Sequence, residues 1–212
     1  MAKFRNGILG PISGKLGPLV GASWKGIPYL RAAPQTVVKR KASPAQLASR
    51  QKFNYLNLFL VPFHPYLNNG FRNACGNKTE INAGFSANYK KVTGAYPDFS
   101  IHLEELALSQ GKLTQLEDAV VEWINANTLK INWNVKAKRL ASFDDQLMLI
   151  VYCPLLHICD GFVGGTKRAS KSCLFQIDDK FAGQNLHLYA VMLSLDGKIA
   201  SETTYLGRTV SP

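Results

Sequence analysis

Leu129, Ile131, Trp133 and Val135 alternate with Lys130, Asn132 and Asn134. A period of two sustained over seven residues commits that stretch to a half-buried β-strand, because successive side chains point to opposite faces. The same period recurs at Leu186, Leu188, Ala190 and Met192. An apolar face of this kind is stable only when a second layer closes over it, so the C-terminal half must be built as stacked layers. Strands are expected at 106–109, 119–124, 128–135, 146–153, 172–177, 185–195 and 198–206. Asp196-Gly197 between the last two marks a hairpin, since both residues tolerate positive φ. Seven short strands in about 110 residues predict a two-sheet β-sandwich.

Upstream the pattern changes. Ser43-Pro44 is a helix start, a hydroxyl N-cap followed by a proline where no N–H is needed. Leu56, Phe59, Leu60 and Phe63 then fall on one helical face, and Pro62 and Pro65 must end or kink the helix near Val61. A second helix is expected from Thr79 to about Val92, burying Ile81, Phe85 and Tyr89. Before the helices, alternation around Lys25-Gly26 (Val20, Ala22, Trp24, then Ile27, Tyr29) reads as a β-hairpin, which Pro34 ends and the basic linker Lys39-Arg40-Lys41 follows. The expected class is therefore α+β. A Gly-rich arm, a hairpin and two or three helices fill 1–97, and a sandwich fills 98–212. The central Trp133 and the long last hairpin resemble a fibronectin type III or immunoglobulin-like module, though without a Cys–Trp–Cys framework.

The 212 residues are 46% hydrophobic, enough for a sizeable core. No apolar run approaches the roughly 20 residues of a spanning helix, and glycine, proline and Lys15 interrupt any secretory signal, so a cytoplasmic protein is expected, with delivery by a non-classical route or in a particle as the alternative. Four cysteines without a tight framework predict reduced thiols. Charge is distributed unevenly. Residues 1–79 hold twelve Lys or Arg and no Asp or Glu, while the rest of the chain holds thirteen basic and fourteen acidic residues. The whole excess of +11 thus sits in the first third. An acid-free third suits an anionic partner (nucleic acid, a membrane surface or an acidic protein patch), or equally a basic segment that docks on its own protein.

Gly7–Gly21 contains two copies of G-x-L-G-P-[IL]-x. It is not a phosphate-binding loop. Gly10 stands one residue too close to Gly14-Lys15, Leu16 replaces the metal-binding hydroxyl, and Pro11 and Pro18 remove backbone donors. Glycine and proline also disfavour a helix, so an extended arm with turns is expected, one whose close backbone approach depends on missing side chains. Phe4-Arg5-Asn6-Gly7-Ile8-Leu9-Gly10, Ser13-Gly14-Lys15, Gly17, Val20-Gly21 and Trp24-Lys25-Gly26 recur together with Tyr29-Leu30-Arg31, Pro34, and Gln46, Arg50 and Phe53. With Tyr96-Pro97-Asp98 and 109–113, this ensemble resembles a bacterial family known only as a domain of unknown function. The resemblance implies no activity, cofactor or catalytic residue.

Catalytic constellations are weak. Cys153, His157, Cys159 and Cys173 offer four soft donors, but their apolar neighbours and spacing differ from zinc knuckles and predict buried free thiols. Glu104-Glu105, Asp144-Asp145 and Asp178-Asp179 are adjacent pairs, which point apart on a strand and suit turns better than acid–base work. No enzyme, metal or cofactor is expected. Gly161 to Ser172 reads as a glycine-rich loop presenting Lys167, Arg168 and Lys171 beside Phe162. The expected role is a non-enzymatic interaction or assembly protein, with Gly14, Lys15, Gly17, Trp24, Lys25, Tyr29, Arg31, Lys167 and Arg168 as partner-binding residues. Trp, Tyr and Arg are the residues that anchor interfaces. The alternative is a nucleic-acid-binding protein that uses the same basic third for phosphate contacts and base stacking.

Overall fold

A computed structural model describes residues 3–4, 10–34, 41–135 and 140–212. The chain forms two compact units, Met1–Ala42 and Ser43–Pro212. The basic linker at 39–40 and the signature residues 5–9 lie outside the described residues.

The N-terminal unit is a four-stranded antiparallel sheet in chain order: β1 (Lys3–Phe4), β2 (Ile12–Leu16), β3 (Leu19–Trp24) and β4 (Ile27–Ala32). Two-residue turns set its register. Gly17-Pro18 leaves Leu16 opposite Leu19, and Lys25-Gly26 leaves Trp24 opposite Ile27. Lys25 and Gly26 both have positive φ (48° and 80°), as a type I′ turn requires. The expected hairpin is therefore present, and the segment before it is paired as β2. Gly21 shows the close approach that the glycines permit, since a Cβ there would lie 2.0 Å from the Ile12 carbonyl oxygen.

In the second unit, α1 (Pro44–Phe59) begins with a capping box: Gln46 N–H donates to Ser43 Oγ and Ser43 N–H donates to Gln46 Oε1. A 3₁₀ turn at Val61–Phe63, where the prolines fall, leads into α2 (His64–Gly70). Thr79 caps α3 (Glu80–Tyr89), whose most buried positions are Gly84 and Asn88 while Ile81, Phe85 and Tyr89 are only half-buried. A small hairpin, β5 (Val92–Ala95) and β6 (Asp98–Ile101), follows. The boundary expected at 97–98 falls in its turn, inside one compact unit.

Seven strands come next: β7 (Glu117–Asn125), β8 (Thr128–Asn134), β9 (Gln146–Cys153), β10 (Ile158–Lys167), β11 (Ser172–Gln176), β12 (Asn185–Leu193) and β13 (Thr204–Val210). They form two antiparallel sheets, ordered β11-β8-β7 and β10-β9-β12-β13. Leu129, Ile131 and Trp133 of β8 share one buried cluster with Leu147, Leu149 and Val151 of β9 and Leu186, Leu188 and Ala190 of β12. Met148, Ile150 and Tyr152 of β9 and Tyr189 and Val191 of β12 bury their side chains instead against Leu56, Phe63, Leu67 and Phe71 of the helical region. The four-stranded sheet is thus covered on both faces, which is why β9 is an almost unbroken apolar run. The class is mixed α+β with several antiparallel sheets.

Three expectations need correction. Residues 106–109 form no strand: Leu106 and Leu108 are buried, but the N–H groups of Leu108 and Ser109 donate to Thr203 Oγ1 rather than to a ladder. Residues 161–167, expected as a loop, belong to β10, which pairs with β9. The connection of the last hairpin is also longer than the expected two residues, since β12 ends at Leu193 and β13 begins only at Thr204.

A candidate interaction surface on the N-terminal sheet

The register of the N-terminal sheet sorts its side chains. Opposed residues share a face, so Trp24 and Ile27, Ala22 and Tyr29, and Val20 with Arg31 and Lys15 lie together. This face combines aromatic rings with cations. The other face carries Ile12, Leu16, Leu19, Pro28, Leu30 and Ala32, with Gly14 opposite Gly21. It has aliphatic side chains and no charge among the described strand residues β2 to β4.

Neither face is buried. Every residue of β4 is exposed, with Ile27 at 68% and Leu30 at 54%, and Trp24 at the end of β3 is 50% exposed. A four-stranded sheet usually hides one face, and exposed apolar residues in contiguous groups mark contact surfaces. Pro28 costs the β3–β4 ladder no bond, because its missing N–H lies on the side of β4 turned away from β3. The sheet therefore places Lys15, Trp24, Tyr29 and Arg31 on one face, Gly14 on the other, and Gly17 and Lys25 in the turns at opposite ends of β3. The aliphatic members of the opposite face did not emerge from periodicity. The two turns contain the signal, since two-residue connections fix which residues face each other.

The remaining two predicted residues lie in the other unit. Lys167 is exposed and paired with Asp144 at 2.7 Å. Arg168 is buried: its Nε donates to Asp145 Oδ2 at 3.1 Å, and its Nη2 and Nη1 donate to the carbonyls of Thr114 (2.6 Å) and Gln115 (3.4 Å). Its own carbonyl accepts from Trp133 Nε1. The guanidinium that looked like a surface cation joins the two sheets from within.

The soft donors diverge. Cys153 and Cys173 point into the core between the sheets, whereas Cys159 packs on the helical side. Burial pushes the Cys159 thiol up, helped by the carboxylate of Asp160. His157 sits across Tyr152 Oη (Nδ1, 3.0 Å) and the Leu58 carbonyl (Nε2, 3.2 Å), tying the β9–β10 turn to α1. Among the described residues no group of three or more His, Cys, Asp or Glu is arranged to hold a metal ion. A cleft of about 760 Å³ lies between the end of α2, residues 110–113, 140–142 and the 194–202 turn, with Arg72, Lys112, Lys198 and Glu202 on its rim. Its buried carboxylate, Asp145, is the one engaged by Arg168.

The chain thus comprises an antiparallel sheet with exposed apolar side chains in one unit, and helices with two larger antiparallel sheets in the other. Residues 11–207 match the sequence pattern of a family of unknown function, DUF6266, and the chain belongs to that family. No curated protein matches it. No helix among the described residues is long and apolar enough to cross a membrane.

Proposed function

We propose that this is a non-enzymatic interaction or assembly protein whose basic, glycine-rich N-terminal sheet docks on a neighbouring subunit or protein partner. The observation that carries this reading is the exposure of the β3–β4 hairpin, where Trp24, Ile27, Tyr29 and Leu30 keep about half or more of their surface open to solvent. Such side chains gain about 25 cal/mol per Å² on burial, and Trp, Tyr and Arg are favoured anchors. Glycines at 14 and 21 keep the backbones close and the aliphatic face shallow. We read the Ser43–Pro212 unit as the folded body of the protein. Its strand orders, β7-β8-β11 and β10-β9-β12-β13, support a fibronectin type III or immunoglobulin-like sandwich, in which the fourth strand joins the third at the sheet edge. Neither a cofactor nor a metal enters this reading, and its setting is the cytoplasm.

A second reading is favoured by one observation: Trp24 and Tyr29 share their face with Lys15 and Arg31, the combination used for stacking on bases and neutralising phosphates. Light scattering with absorbance at two wavelengths separates the two on protein purified without nuclease. A nucleic-acid-free complex that survives high salt, and is lost in Trp24→Ala with Tyr29→Ala, supports docking. Bound nucleic acid that leaves as salt rises supports the alternative.

A further inference from the structure

We infer that the occupant of the β4 edge is a second copy of the same strand, paired antiparallel about a two-fold axis at Leu30. The inference rests on the docking role proposed above and gives that role a partner and a register.

The two-residue turn makes Trp24 and Ile27 a hydrogen-bonded pair, so alternate residues Ile27, Tyr29 and Arg31 turn their N–H and C=O groups toward β3. Ala33 continues this parity, donating to the Pro18 carbonyl at 2.7 Å. Pro28, Leu30 and Ala32 therefore direct their backbone groups outward. A two-fold axis at Leu30 sets Leu30 against Leu30 of the second copy and Pro28 against Ala32. Each Pro28 carbonyl then accepts from an Ala32 N–H, and the missing proline N–H leaves only one Ala32 carbonyl per copy unpaired. Pro28 thus acts as a register selector: shifting the axis loses this match.

Side chains agree with the same register. One face becomes Pro28, Leu30 and Ala32 against their own counterparts, all apolar. On the other face Arg31 stands across from Tyr29 of the second copy, where the guanidinium meets the electron-rich ring. The contact is isologous, so this Arg31–Tyr29 pair forms twice about the axis. The edge is six residues long, against about 20 to 30 residues a side in a standard interface, so association belongs to the weak, micromolar class. Both copies are basic, so screening by salt holds or tightens the contact.

The test is sedimentation of the full chain over a concentration series, with oxidative cross-linking of Leu30→Cys and Ile27→Cys, the wild type controlling for its native thiols. Leu30 residues at the axis would lie about 5.5 Å apart between Cα atoms, within disulfide reach. Ile27 residues would be about 20 Å apart along the strands. The expected result is a doubling of mass with concentration, unchanged or tighter in high salt. Leu30→Cys should cross-link at least several-fold more than Ile27→Cys. Leu30→Pro, which removes an outward N–H and leaves the β3–β4 ladder whole, should return the chain to monomer with an unchanged circular dichroism spectrum. A dimer that cross-links equally through both positions overturns the register, and the docking role still stands if Trp24→Ala with Tyr29→Ala dissolves it. A dimer untouched by any of these variants overturns both. A monomer throughout overturns the second copy as occupant and leaves docking to a different partner, an acidic strand or a nucleic acid.

Discussion

Arg168 Nε donates to Asp145 Oδ2 at 3.1 Å, and the two side chains keep only 4% and 3% of their surface exposed. Three donors of this guanidinium end on Asp145 and on the carbonyls of Thr114 and Gln115, while Asp145 also accepts from the Ser142 N–H. Removing one partner strands the other charge in the interior. Asp145→Ala should destabilise the Ser43–Pro212 unit by about 3–5 kcal/mol in urea melts. Replacing both residues with apolar ones of similar volume should cost less than the single change.

Asn88 is fully buried on α3 and acts as a clasp. Its Nδ2 donates to the carbonyls of Gly84 and Ala107, and its Oδ1 accepts the Ala107 N–H. Asn88→Ala frees a donor and an acceptor of residue 107 with no replacement. A loss of about 1–3 kcal/mol in thermal or urea unfolding is expected, with faster amide exchange at 107.

Acid should weaken the protein partly through His187. Burial, and secondarily the Arg208 cation, hold its pKa below the usual value of 6.5, opposed in part by Glu104. The unfolded chain then takes up the proton first. Stability is fully present above pH 6.5 and falls as pH drops through that value toward the lower folded pKa. His187→Gln should flatten this part of the stability–pH curve, read by urea midpoints between about pH 7.5 and 5.

Thiol chemistry should be ordered by environment. Burial raises the thiols of Cys159 and Cys173, and Cys153 is sealed in the core. In the native protein at pH 8, iodoacetamide should modify Cys75 first and the other three only on unfolding, as mass spectrometry of timed aliquots would show.

Gly21→Ala tests the N-terminal sheet. The new methyl would press on the Ile12 carbonyl at 2.0 Å, backbone against backbone, so β2 and β3 must separate. Amide exchange across Ile12–Leu16 and Leu19–Trp24 should accelerate by at least tenfold, while the melting of the Ser43–Pro212 unit stays unchanged.

Much of this architecture is determined locally. Ser43, Pro44 and Gln46 begin α1 because a capping box needs only residues three apart. The alternation at Leu129, Ile131 and Trp133 predicts β8, and Lys25-Gly26 predicts the β3–β4 turn, since each signal is complete within a few residues. Strand β10 was not legible. Its glycines and Lys167 have the composition of a loop, and only the ladder to β9 makes them a strand. Conversely, Leu106 and Leu108 have a strand's composition, yet a side chain 95 residues away from Leu108 takes its N–H. In the candidate site, Trp24, Tyr29 and Arg31 could be named from residue type, while Leu16, Leu19 and Leu30 required the register. Arg168 marks the limit most sharply. Charge and glycine neighbours suggest a surface cation, but Asp145 lies 23 positions earlier and Thr114 54 earlier. By itself the sequence determined caps, turns, strand periods and the acid-free N-terminal third, because these depend on neighbours along the chain. Only the tertiary structure decided which faces are buried and which charges are paired, because those depend on groups that folding brings together.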